Sequence, residues 1–271
     1  MKSINTKNLG QKSKYIDLYD CSLLDPIPRD LGRNEIGLDG QKLNFDGFDL
    51  WTAFELSWLN QKGKPLVAIA EIKVPCESPF LIESKSFKLY LNSFNQTKVS
   101  SVDELQKKIE SDLGLVTKSS VCVKITTGSN KINEPVGDCI DDIDIDFVDY
   151  SFTPSILENA TREENAKETI YSRLLKSNCL VTNQPDWGTV FIKYEGNAID
   201  REKLLRYIVS FRKHNEFHEQ CVERIFTDIK KYCNPEKLTV FARYTRRGGL
   251  DINPFRSDFE SEIPVGRLEN Q

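Results

Sequence analysis

The chain has 271 residues, 39% hydrophobic and 29% charged, with 15 Phe and 9 Tyr, enough for one large or two ordinary domains with sizeable cores. With 37 basic against 41 acidic residues the net charge is −4, which argues against a broad nucleic-acid-binding surface. No apolar run approaches the roughly 20 residues of a membrane span, the first residues lack the apolar stretch of a secretory signal, and 7 scattered cysteines without CxxC pairing argue for reduced thiols. The expectation is a cytoplasmic globular protein with no membrane and no direct nucleic-acid partner.

The first fifty residues read as loop-rich, with Pro26 and Pro28. Strands follow over Phe54 to Leu59 and Leu66 to Val74, separated by the turn-forming Asn60 to Gly63. Glu83 to Phe94 reads as a helix with Phe87, Tyr90, Leu91 and Phe94 on one face, and Val102 to Leu113 as a second, capped by Ser101 with Glu104 three residues on. Val121 to Thr126 is a further strand, and the strict alternation of Asp142 to Phe147 suggests a half-exposed one whose acidic face is solvated. Residues 151 to 168 are polar, contain Pro154, and are taken as a linker.

The second half repeats the order of the first. Strands at Cys179 to Thr182 and Thr189 to Tyr194 precede helices over Asp200 to Arg212 and Glu216 to Tyr232, with Asn215 as N-cap, and then a strand from Leu238 to Tyr244. Tyr90-Leu-Asn-Ser-Phe94 corresponds to Tyr207-Ile-Val-Ser-Phe211, and Leu59-Asn-Gln61 to Thr182-Asn-Gln184. The reading is an α+β chain of two modules, 1–150 and 151–271, each an antiparallel sheet with two helices on one face.

Chemistry concentrates in a few segments. In Ser177-Asn-Cys-Leu-Val-Thr-Asn-Gln-Pro-Asp-Trp-Gly188, a turn at Gln184 to Gly188 would bring Cys179 and Asp186 towards one cavity, a thiolate that can attack electron-poor carbon beside a carboxyl group that can move protons. Set against this, most free cysteines are small buried hydrophobes and Pro-Asp-Trp-Gly is ordinary turn chemistry. On the repeat, Cys179 and Asp186 fall opposite about Leu56 and Gly63, and His218-Glu219 opposite Ser101-Val102, so the polar groups are divided between the copies. His214, His218 and Cys221 have helical spacing for a metal, but an N-cap at Asn215 puts His214 outside the helix. A carboxylate at Glu219 suits a planar N–H/NH₂ edge such as that of guanine or a pterin. Glu83-Ser-Lys-Ser86 opens a helix with amides and lysines suited to a phosphate, and Arg246-Arg-Gly-Gly249 adds cationic contacts, although composition alone favours a plain charged first turn at Glu83. There is no GxGxxG and no GxxxxGK[ST].

Taken together, Glu83-Ser-Lys-Ser-Phe-Lys-Leu-Tyr90, Ser177 to Gly188, Ser210 to Glu219, Arg246 to Phe255 and Tyr19 to Arg29 resemble the NADPH-dependent 7-cyano-7-deazaguanine reductases, the nitrile reductases of queuosine biosynthesis, in their two-module form. The resemblance implies tandem tunnelling-fold modules, usually in a homodimer, and reduction of the nitrile to a primary amine with two NADPH per substrate. It implies Cys179 as the nucleophile forming a covalent thioimide and Asp186 as the proton donor. Ile82, Glu83, Ser84, His218 and Glu219 would bind 7-cyano-7-deazaguanine; Ser84, Lys85, Arg247 and Gly248 would contact NADPH; no metal is required. A metal-dependent cyclohydrolase or pterin-type enzyme of the same fold, and a non-catalytic purine-binding module, are the alternatives.

Overall fold

The computed structural model describes residues 16–38, 42–128, 131–147, 149–263 and 266–271. In chain order the elements are β1 (Pro26–Pro28), α1 (Asp30–Arg33), β2 (Asp46–Leu59), β3 (Pro65–Pro75), β4 (Phe80–Ile82), α2 (Ser84–Asn92), α3 (Val102–Thr117), β5 (Cys122–Thr126), β6 (Asp138–Cys139), β7 (Thr161–Asn178), β8 (Pro185–Ile199), α4 (Arg201–Ser210), α5 (His218–Cys233), β9 (Lys237–Tyr244) and β10 (Leu250–Ser257). They fall into two compact units, one drawn from residues 1–31, 48–130 and 246–252 and the other from 32–47, 131–245 and 253–271, so the chain enters each unit more than once.

The first unit holds the antiparallel ladder β5-β3-β2, with β1 and β4 pairing separately. Alternate residues of β3, from Ala68 to Val74, are buried, as a strand with one covered face requires. Phe87, Tyr90 and Leu91 of α2 and Leu105, Ile109 and Leu113 of α3 recur at the three- and four-residue spacing of a helix face and join Trp51, Trp58 and Ile72 in one core. Each fully buried aliphatic or Phe side chain contributes about 1.5–3 kcal/mol. Glu83 caps α2 by accepting from the amides of Lys85 and Ser86, and Ser101 caps α3 by accepting from Glu104 N–H. The Glu104 carboxylate reaches back one residue further than a capping box requires, to Ser100 N–H.

The second unit repeats this plan. Strands β9, β8 and β7 pair antiparallel, the second half of β10 adds beside β9, and β6 pairs parallel with β7. Asp200 caps α4 through the amides of Glu202 and Lys203, the place that Glu83 takes on α2. Cys221, Val222, Ile225, Phe226 and Ile229 bury one face of α5. The buried Glu223 on the same helix accepts from Arg33 at 2.7 and 3.0 Å and from Arg256 at 2.9 and 3.1 Å, which fixes residues 32–38 and the end of β10 to this unit.

The repeat extends to individual atoms. Tyr90 donates to Asp112 Oδ2 at 2.6 Å, and Tyr207 to Asp228 Oδ2 at 2.7 Å. Ser93 and Ser210 each return a hydroxyl to the carbonyl of their tyrosine. The Tyr90–Phe94 and Tyr207–Phe211 rings are both edge-on at 87°, with centroids 5.4 and 5.3 Å apart.

Several expectations require correction. Residues 151–168 are not a linker: β7 begins at Thr161 and runs to Asn178. Its first half is charged because it lies at a sheet edge, where pairing with β8 rather than apolar alternation makes the strand. Cys179 to Thr182 is not a strand but the loop of the β7–β8 hairpin, and Gln184 to Gly188 is not the turn, since β8 starts at Pro185. Asp142 to Phe147 forms no strand; exposure alternates there, but the backbone finds no ladder, and the Asp146 carbonyl accepts from Arg206 instead. Asn215 does not cap α5, whose N-cap is Phe217. Strand β10 was not foreseen.

Candidate active site

Ten residues were expected at the site, and four of them lie in the second unit. Asn178 pairs with Pro185 and Ser177 with Asp186, so the loop closes at Cys179, whose N–H donates to Gln184 O at 2.8 Å and whose carbonyl accepts from Asn183 N–H at 3.0 Å. Asn183 takes the left-handed conformation, φ 57°, that asparagine tolerates in turns. Cys179 stands two residues past the cross-strand partner of Asp186, at the first position of the hairpin loop. It is half-buried, and Asp186 is buried at 3% exposure.

The first turn of α5 brings the other pair. His218 Nε2 lies 3.5 Å from Asp186 Oδ1, and Glu219 follows it, buried at 4% exposure. The imidazole packs edge-on against Tyr244, ring centroids 4.2 Å apart at 84°. Gly188, the register partner of Tyr244, makes room for that ring, since a Cβ there would sit 3.0 Å from it. A chain of contacts therefore runs from the glycine of Pro-Asp-Trp-Gly through Tyr244 and His218 to the aspartate of the same segment. Behind them, burial pushes the Cys221 thiol and the Tyr244 hydroxyl well up, so both remain neutral at ordinary pH. Burial, with Arg212 nearby, pulls the Lys176 ammonium down; Lys176 holds Asn178 Oδ1 at 2.5 Å and Arg212 O at 2.8 Å.

The metal face does not form. His214 lies ahead of α5 against Phe152, 3.4 Å from Glu216 Oε2, whereas His218 turns to Asp186 and Tyr244. Among the described residues no group of three His, Cys, Asp or Glu is placed to hold a metal ion.

The remaining six expected residues belong to the first unit. Ile82 and Glu83 are buried where β4 meets α2, Ser84 is exposed and Lys85 half-buried. Because the Glu83 carboxylate takes the Lys85 and Ser86 amides at 2.8 and 2.7 Å, the helix start does not offer those two amides to a phosphate. Arg247 and Leu250 exchange both backbone bonds across Gly248 and Gly249, φ 60° and 79°, a two-residue turn that glycine makes easily. Lys88 binds Gly248 O and Glu55 Oε2, Phe54 N–H donates to Gly249 O at 2.9 Å, and Arg246 lies 5.0 Å over the Phe54 ring. The register shift of β2 between Ala53 and Leu56 frees Phe54 and Glu55 for these contacts. Phe54 and Glu55 had no signal in the motifs, because a bulge is a property of strand pairing, whereas Lys88 belongs to the helix-start segment already singled out.

The repeat also has to be re-registered at the hairpins. Asn60 N–H donates to Lys64 O and its carbonyl accepts from Gly63, the pattern of Cys179, so Asn60, not Leu56, is the counterpart of the cysteine. Leu66, two residues past Lys64, then stands in the place of Asp186, not Gly63. At the second helix the N-caps Ser101 and Phe217 and the tyrosine-bound Asp112 and Asp228 align, so Val102-Asp103, not Ser101-Val102, corresponds to His218-Glu219.

These features, an acid–imidazole pair near a hairpin in one unit and an Arg-Gly-Gly turn in the other, belong to an α+β chain of two repeated units. A family model described as nitrile reductase, 7-cyano-7-deazaguanine-reductase N-terminal, matches residues 15–125, and a model described as QueF-like protein matches residues 185–262. The chain belongs to the QueF nitrile reductase family in its two-module form, a family of oxidoreductases. Asp186, His218, Glu219, Arg247 and Gly248 lie within the second match and Ile82 to Lys85 within the first, whereas Cys179 lies just ahead of the second.

Proposed function

We propose that the protein reduces the nitrile of 7-cyano-7-deazaguanine to the aminomethyl group, in queuosine biosynthesis, with Cys179 as nucleophile. The observation that supports this reading is the buried Asp186, with His218 Nε2 3.5 Å from its carboxylate, on the strand paired with the segment that leads into Cys179. A nitrile carbon is a weak hydride acceptor until sulfur adds to it. The Cys179 sulfur forms the S–C bond, one C≡N π pair passes to nitrogen, and Asp186 delivers the proton that nitrogen takes. His218 holds Asp186 in place and relays that proton. Glu219 accepts from the N–H/NH₂ edge of the base, with Ile82, Glu83 and Ser84 as further substrate contacts.

NADPH, when bound, supplies hydride, one for the thioimide and a second for the imine. The donor set fits a phosphate-bearing nicotinamide: Ser84, Lys85, Arg247 and the turn at Gly248 present cations and close-approach backbone. Collapse of the reduced adduct returns sulfur to Cys179 as thiolate, and net uptake is two hydrides and two protons per nitrile. The working form is read as a cytoplasmic homodimer of tandem tunnelling-fold modules. The test is stoichiometric. Purified protein given the nitrile should oxidise two NADPH per substrate with amine as product, and NADPH left unoxidised would overturn the proposal.

A further inference from the structure

In both units a backbone clip ties the hairpin to the segment entering the second helix. In the first, Leu59 N–H donates to Thr97 O and Val99 N–H to Leu59 O, both at 2.9 Å; in the second, Asn178 N–H donates to His214 O at 2.8 Å and Glu216 N–H to Asn178 O at 3.1 Å. The matching parallel bridges are Leu59 with Lys98 and Asn178 with Asn215. The clip is thus common to the fold and says nothing about chemistry.

What differs is the side chain at the bridge. In the first unit the place is taken by Lys98, and the loop closes on itself, Asn60 Oδ1 accepting from the amides of Lys62 and Lys64 at 2.9 and 3.0 Å. In the second unit Asn215 reaches across the loop. Its Nδ2 donates to the carbonyl of Cys179 at 3.2 Å and to Asn183 Oδ1 at 2.8 Å, and its Oδ1 accepts from Asn178 Nδ2 at 3.4 Å. It therefore bonds the residues at both ends of the turn, including the left-handed one. Left-handed backbone is unfavourable for an L-residue, so a loop closed by asparagine rather than glycine benefits from an external tie.

Resting on the reading of Cys179 as nucleophile, we propose that Asn215 is a positioning residue that holds the Cys179 loop in register with the segment leading into His218 and Glu219. The repeat acts as an internal control: the copy without the cysteine keeps the backbone clip and has lysine at this position. Nucleophile and base-binding carboxylate are thereby set on one rigid frame, and a displacement of the sulfur of about 1 Å is enough to slow attack up to ~10²-fold.

The experiment compares wild-type protein with Asn215→Ala and Asn215→Asp, the second keeping the shape but losing the donor to Cys179 O. Three readouts are taken: the rate of covalent adduct formation with 7-cyano-7-deazaguanine in the absence of NADPH, kcat and KM in steady state, and amide hydrogen exchange. Both variants should form adduct and turn over about 10- to 100-fold more slowly, with both KM values within about twofold, and with faster exchange confined to 178–184. Wild-type adduct rates overturn the proposal, as does a slowing accompanied by faster exchange throughout the second unit. If wild-type protein forms no adduct, the nucleophile reading fails, and exchange at 178–184 still decides whether Asn215 holds the loop: unchanged exchange in both variants overturns that too.

Discussion

Cys179 owes its position to the two backbone bonds that close its loop, and Asp186 to the ladder that pairs it with Ser177. The residue types were legible in the sequence, a thiol and a carboxylate seven apart, but the turn between them was displaced. Pro-Asp-Trp-Gly has turn composition, yet Gly188 pairs with Tyr244 of β9, and partners far along the chain draw the segment into β8. The glycine is needed for a different reason, the ring of Tyr244. Gly188→Ala would press a methyl into that ring at 3.0 Å and shift His218 against Asp186. The expected cost is about 1–3 kcal/mol of stability, and turnover should fall more than KM rises. Urea unfolding and steady-state kinetics check both, and a variant with unchanged kcat would show that the Tyr244 contact does not hold the imidazole.

Helices and repeat order were readable because their signals are local: periodic apolar residues, Glu83, Ser101 and Asp200 at helix starts, and the Tyr-x-x-Ser-Phe segments. Elements defined by partners were not. Polar β7 is made a strand by β8, β10 by β9, and the alternating Asp142 to Phe147 is left without a ladder. Asn215 followed the same logic, a good capping residue in sequence that is engaged by the hairpin in space. The duplicated tyrosines allow a paired measurement. Tyr207→Phe removes the bond to Asp228, whose carboxyl burial already pushes up, and should cost about 1–3 kcal/mol. Tyr90→Phe removes its twin to Asp112 and should cost a similar amount in urea unfolding, and a loss at one site only would show that the shared geometry does not carry shared energy.

At the scale of the molecule, Glu223 holds two buried guanidinium groups, so Glu223→Ala should cost about 3–5 kcal/mol, read as a lower urea midpoint. Stability should also fall in alkali. Cys221, Tyr207 and Tyr244 are held well above their usual range by burial, and Cys233 is pushed from 9.0 to about 11. The folded state therefore keeps protons that the unfolded chain releases; their contribution is intact below pH 9 and is lost as pH rises through the folded values. The urea midpoint should drop between pH 8 and pH 10, and a constant midpoint would contradict this. The family assignment was legible in motifs spread over most of the chain, but the site residues were legible only as two groups, because strand pairing and bulges complete them. The central claim rests on one atom, the sulfur of Cys179. It is tested most directly by intact-mass measurement after incubation with 7-cyano-7-deazaguanine without NADPH. The account predicts one substrate mass added to wild-type protein, released on adding NADPH, and no addition to a folded Cys179→Ala variant; an adduct on that variant would contradict it.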